Sequence, residues 1–120
     1  MRVPTVEEFF EDSPEGPAIY QKIAGAVESI GEATVRVSKS QIAFRRRKGF
    51  AYVWRPGTYV DSDVPVVLSI VLDHAIDSSR FKEVAHPARQ VWMHHIEMRA
   101  VADVDDEIRR WLGEAYGQAG

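Results

Sequence analysis

The sequence predicts an α+β domain: a mostly antiparallel sheet of four or five strands, with N-terminal helices and a C-terminal helix packed on one face. Three observations lead there. Apolar residues at helical spacing sit at the two ends of the chain, Tyr20, Ile23, Val27 and Ile30 near one and Val104, Ile108, Trp111, Leu112 and Ala115 near the other. The middle alternates or runs apolar in strand-length blocks. Two of those blocks, QIAFRR and FAYVWR, flank the short connection RKG, and so short a link forces antiparallel pairing. With 120 residues the chain is the length of one domain, and residues 1–15 read as an N-terminal extension holding a short helix.

The elements follow in order. Thr5 with Glu8 three residues on makes a capping box, so a first helix should run through Phe9 and Phe10. Ser13-Pro14 or Gly16-Pro17 opens a second helix, since proline is tolerated in a first turn whose amides have no partner, and Gly31 is placed to cap its end. TVRV forms a short strand. The hairpin follows, its glycine suited to the left-handed conformation of a bulged turn. VPVVLSIVLD and QVWMHHIEMR supply two further strands, and Asp103 caps a last helix whose first turn holds Asp105, Asp106 and Glu107.

Parity sorts the strand residues into faces. If residues 46 and 50 oppose each other, Phe44 meets Tyr52 and Ile42 meets Trp54, an aromatic face for the helices to cover. Gln41, Ala43, Arg45, Ala51, Val53 and Arg55 then share the other side. Val66, Leu68, Ile70 and Leu72 separate from Val67, Ser69, Val71 and Asp73 in the same way, and Trp92, His94, Ile96 and Met98 separate from Met93, His95, Glu97 and Arg99.

Composition excludes several function classes. No apolar run approaches the ~20 residues that cross a bilayer, and the acidic start MRVPTVEEFFEDSPEG has no signal-like stretch, so a cytoplasmic protein without a membrane partner is expected. The absence of cysteine removes disulfides, thiolate zinc sites and thiol nucleophiles. No serine lies in a Gly-x-Ser-x-Gly elbow, no glycine-rich phosphate loop is present, and no cofactor is implied. The charge is uneven. Thr34 to Val60 holds seven cations and no acid, which against a net charge of −3 leaves −10 for the remainder.

The adjacent histidines of VWMHHIEMRA point to opposite sides of a strand, so they cannot share a metal. His94, between Trp92 and Ile96, reads as a hydrogen-bonded core residue. His95 and Glu97 share a face, but a third ligand would have to come from His74, His86, Asp61 or Asp63, which nothing in the sequence brings near. Glu97 with Arg99 is a poor nuclease pair, because arginine cannot be tuned to activate water. The candidate ligand-binding set is therefore Lys39, Gln41, Arg45, Arg55, Ser69, His95, Glu97 and Arg99 on the half-polar face. Guanidinium groups beside small residues leave room for a phosphate or carboxylate. The expected partner is an anionic ligand or nucleic acid. The alternatives are an acid/base or metal-dependent enzyme using His95 and Glu97, and a module that binds a second copy or another protein.

The segments VSKSQIAFRRRKGFAYVWRPG, DSSRFKEV and WMHHIEMRAVADVDDEIRRWLGEAY carry a resemblance. The most specific parts are Lys39 with Ile42-Ala43-Phe44, Phe50-Ala51, Ser79-Arg80-Phe81, and Asp103 to Asp106 followed by Trp111-Leu112. From about Tyr20 to Tyr116 the chain resembles a family of bacterial domains called domain of unknown function 5655. Similar domains stand alone or close the C-terminus of larger bacterial proteins, some loosely described as transport-related or as associated with nuclease-like domains. The resemblance implies an accessory role and brings no site residues with it.

Overall fold

Local rules set both ends of the chain in the computed structural model, which describes residues 3–120. The Thr5 hydroxyl accepts from the Glu8 amide at 3.1 Å, and Glu8 Oε1 accepts from the Thr5 amide at 2.9 Å, so helix α1 (Val6–Phe9) carries the expected capping box. Helix α2 (Gly16–Ile30) starts at the later of the two prolines, with Ser13 Oγ accepting from the Gly16 amide. At the far end the cap of α3 (Asp106–Gln118) is Asp105, which accepts from the Ile108 amide. Asp103 instead closes a single 3-10 turn, its carboxylate accepting from the Arg99 and Ala100 amides.

Between the helices lies one sheet of six strands rather than four or five: β1 (Thr34–Val37), β2 (Ile42–Arg45), β3 (Gly49–Trp54), β4 (Val66–Leu72), β5 (Glu83–Ala88) and β6 (Val91–Met98), in the order β1-β2-β3-β4-β6-β5. Every neighbouring pair is antiparallel. The additional strand is β5. Its sequence EVAHPA is almost wholly exposed and contains Pro87, tolerable at an edge but carrying no apolar pattern to announce a strand.

The helices cover one face. Ile19, Ile23 and Val27 of α2 and Ile108, Trp111, Leu112 and Ala115 of α3 join Ile42, Phe44, Leu68, Ile70, Ile96 and Met98 of the sheet in one core. Tyr20 stacks on Phe44 with centroids 6.0 Å apart. The β2–β3 pairing, however, is offset by one residue from the expected one. Ile42 opposes Val53 and Phe44 opposes Ala51, with an irregularity between Phe44 and Arg45 that sets Arg45 against Gly49. Because side chains alternate, that single step turns β3 over. Ala51 and Val53 are buried under the helices, while Tyr52 and Trp54 move to the uncovered face.

Gly31 caps α2 as expected, its amide donating to the Val27 carbonyl, but its backbone is extended, and Gly49, expected in the left-handed conformation, does not adopt it; both glycines serve packing. A methyl group at Gly49 would overlap the Tyr52 hydroxyl, and one at Gly31 would overlap the hydroxyl of Tyr116, which donates to the Glu32 carbonyl. The hairpin tip is shaped by α3. Arg47 and Lys48 amides both donate to the Ala119 carbonyl, at 3.0 and 3.1 Å, and Arg46 Nη1 donates to the Tyr116 carbonyl while its guanidinium lies 4.1 Å from that ring's centroid. The last turn of α3 has no basic residue of its own, so the tip supplies both donors and positive charge to its negative end.

Two other arginines are structural. Arg80 Nη1 reaches Asp105 and Glu107 at 2.9 Å and Nη2 donates to the Asp103 carbonyl at 3.0 Å, tying the β4–β5 connection to the start of α3. Phe81 beside it packs on Trp111, centroids 4.7 Å apart. Arg55 Nη1 donates to the Phe9 and Glu11 carbonyls at 3.1 and 2.9 Å. The turned-over strand sends Arg55 toward α1 and away from the open face where a ligand role was expected. Arg55→Ala should therefore cost about 1.5 kcal/mol, the low end for hydrogen bonds to a charged group. It should also speed amide exchange from Phe9 to Ser13. Unchanged exchange in that segment would show that the contacts hold nothing.

Candidate functional site

The register builds the open face row by row. Arg36, Ala43, Tyr52, Ser69, His95 and Glu83 stand directly opposite one another across all six strands, and Trp54, Val67 and Glu97 form the next row on β3, β4 and β6. Neighbouring strands lie about 4.8 Å apart, so each residue in a row touches the next.

At the middle of this face runs a polar chain. Trp54 Nε1 donates to Ser69 Oγ at 2.8 Å, and Ser69 Oγ lies 2.6 Å from His95 Nδ1. An indole N–H can only donate, so the serine oxygen is the acceptor in the first bond. The buried serine, 1% exposed, has His95 Nδ1 as the acceptor for its own proton. His95 is thereby held as the neutral Nε2–H tautomer. Burial pushes its pKa below the ordinary histidine value, against a smaller opposing pull from Glu83.

Trp54, Pro56, Tyr59, Val67, His95 and Glu97 line a recess of about 430 Å³. Glu97 is paired with Lys82 Nζ at 3.1 Å, and Tyr59 and His95 both meet the Trp54 ring edge to face, at centroid distances of 6.1 and 5.9 Å. This arrangement limits the chemistry. Ser69 is sealed from any substrate, and Glu97 is engaged by a lysine rather than by His95. Among the described residues no three His, Asp or Glu side chains converge as metal ligands.

His94 faces the helices and is fully buried. The Ile76 amide donates to its Nε2 at 3.0 Å, which places the ring proton on Nδ1, 3.2 Å from both the Ile70 and Trp92 carbonyls. Adjacent in sequence, the two histidines thus occupy opposite faces as expected. Desolvation also lowers the pKa of His94, outweighing those two carbonyls.

The structure divides the sequence-derived set. His95 and Glu97 line the recess, and Ser69 is buried behind it, bonded to His95. Arg45 ends β2 beside Tyr52, its Nη1 3.4 Å from where a methyl group on Gly49 would stand. Lys39 and Gln41 belong to the β1–β2 turn, where Ser38 Oγ accepts from the Gln41 amide. Arg99 is ion-paired with Asp63 at 3.3 Å, and Arg55 serves α1. Absent from the set were Arg36, Tyr52, Trp54, Tyr59 and Lys82. The rings carried one signal: Tyr and Trp have a polar tip that suits a wet face, whereas Phe44 and Phe50, without one, are buried.

The sequence matches the family described as Domain of unknown function (DUF5655) over residues 6–119, from α1 to the end of α3. No curated protein and no solved structure matches it.

Both histidine pKa values lie below that of an unfolded histidine, so the unfolded chain takes up protons that the fold refuses. Stability should be complete above about pH 6.5 and fall as pH drops below it toward the lowered native values. His94→Phe leaves the Ile76 amide without an acceptor and should cost about 1–3 kcal/mol at pH 7.5, with a shallower loss between pH 6.5 and 5.5. Urea unfolding at both ends of that range reads it. An equally steep loss in the variant would acquit His94.

Proposed function

The chain belongs to this family of unknown function, and we propose that its domain is a binding module for single-stranded nucleic acid, laid across the open face of the sheet. The observation that carries the reading is the register of β3, which leaves Tyr52 and Trp54 uncovered by helices with Arg36 and Arg45 on the neighbouring strands. Half-buried rings on an uncovered sheet offer stacking surfaces to unpaired bases, and guanidinium groups beside them attract the phosphates.

Charge gathers at the same end of the sheet. Arg46 and Arg55 are consumed by helix ends, yet Arg36, Lys39, Arg45, Arg47 and Lys48 have no ion-pair partner among the described residues. All five lie on or between β1, β2 and β3. Acidic residues dominate the rest of the chain, which orients the basic strip toward a polyanion rather than raising affinity everywhere. The enzyme alternative finds no free acid/base pair at His95 and Glu97.

Fluorescence anisotropy with labelled single-stranded RNA, single-stranded DNA and duplex DNA tests the proposal. Single strands should bind, weakening by about tenfold or more between 50 and 200 mM salt. Tyr52→Ala should cost about 1–3 kcal/mol of binding, the worth of one stacked base. Arg36→Ala with Arg45→Ala should flatten the salt dependence. Indifference of all three probes to the protein, or a duplex bound as well as a single strand and insensitive to Tyr52, would end the idea.

A further inference from the structure

The recess beside Trp54 differs in kind from the basic strip. Its charged side chains are Lys82, Glu83 and Glu97, one cation against two carboxylates, and His95 is neutral. A phosphate or carboxylate would meet net repulsion there. The walls from Trp54, Pro56, Tyr59, Val60 and Val67 are apolar, and the volume, about 430 Å³, falls in the range of small-molecule sites.

One donor in this recess, on the His95 ring, is both without a partner and fixed in direction. Ser69 holds Nδ1 of His95, and Nε2–H has no hydrogen-bond partner among the described residues. Its direction is not adjustable, because the ring is fixed between Ser69 Oγ and the edge-to-face contact with Trp54. Around it stand two acceptors: the Glu83 carboxylate, directly opposite His95 on β5, and Glu97, two residues along β6 and tethered by Lys82. A fitting ligand is therefore flat and uncharged, apolar on its faces, with an acceptor for the histidine and a donor for a carboxylate on its edge.

We propose that this recess is a pocket for one nucleobase, read along its edge by His95 Nε2–H and a rim carboxylate. The pocket rests on the strand-binding reading for the source of the base. It lies in the Tyr52 row, two strands beyond Tyr52, so a strand stacked on Tyr52 can turn the next base or two into it. The phosphates stay outside, toward the arginines. Sequence preference would arise here, while the strip supplies affinity without it.

Free nucleosides carry no phosphate and test the pocket apart from the strip. Adenosine, guanosine, cytidine and uridine would each be titrated into the intact protein while the imidazole nitrogens are followed by long-range proton–nitrogen correlation spectra. The unliganded protein should show His95 as the Nε2–H tautomer. At least one nucleoside should then move the His95 signals in a saturable way, with little effect of salt. His95→Phe keeps a ring but no donor and should weaken that nucleoside about tenfold; the wild-type spectra decide the matter even if this variant fails to fold. An Nδ1–H tautomer, or four nucleosides that leave His95 unmoved at their solubility limits, overturns the pocket. Oligonucleotide binding that persists alongside such a result would leave the strip standing. Nucleoside binding with no oligonucleotide binding would do the reverse.

Discussion

The register of the β2–β3 hairpin is the constraint from which the rest of this structure follows. With Phe44 opposite Ala51, the helix-covered face of β3 is made of Ala51 and Val53, small enough for α2 and α3 to close over Phe44 and Phe50. One residue the other way, Tyr52 and Trp54 would stand there, their polar tips buried under helices and the layer spacing forced apart. The same step delivers Arg55 to the backbone of α1 and the Trp54 indole to Ser69. A strand has only two faces, so core, N-terminal attachment and open-face chemistry are fixed together.

What holds that register is the C-terminal helix, more than the turn residues. The tip amides of Arg47 and Lys48 share the Ala119 carbonyl, and Arg46 covers Tyr116. Arginine performs this office at both ends of α3. Arg80 stands among the acids that open it, holding the Asp105 carboxyl below the usual carboxylate range. A basic run that suggests polyanion binding is thus partly a set of fastenings. The distinction matters for function, because a guanidinium already bonded to two carbonyls cannot also grip a phosphate at no cost.

Legibility followed how local each cause was. The capping box of Thr5 and Glu8, the buried stripe of α3 and the placing of His94 and His95 on opposite faces were all readable, since each depends on residues within a few positions. β5 was not, because an edge strand needs no alternation, and EVAHPA shows none and carries a proline. The cap of α3 fell to Asp105 instead of Asp103 because Val104 must enter the core, at 2% exposure, before the helix can start. The hairpin register was the costliest miss. Judged by ring size alone, Tyr52 and Trp54 look like core. Of the eight candidate site residues, His95 and Glu97 do line one recess with Ser69 buried behind His95, since the alternation of β4 and β6 was read correctly.

The two histidines show how neighbouring identical side chains acquire different chemistry. His94 accepts an amide proton at Nε2 and so carries its own proton on Nδ1; His95 accepts a hydroxyl proton at Nδ1 and so carries its own on Nε2. Each is neutral; protonating His94 would break the bond from the Ile76 amide, and protonating His95 would reverse its bond with the Ser69 hydroxyl. Yet the consequences diverge. Every polar atom of His94 is satisfied within the core, which makes it a strut, whereas His95 has one donor to spare on the uncovered side. Fixing that donor in advance removes the need to select a tautomer when a ligand arrives, which is the advantage of a preorganised site over a mobile polar side chain. A Trp–Ser–His chain adds nothing to the core at the centre of an uncovered face. Its stabilising bonds instead maintain one N–H in one direction, the direction on which the proposed base pocket depends.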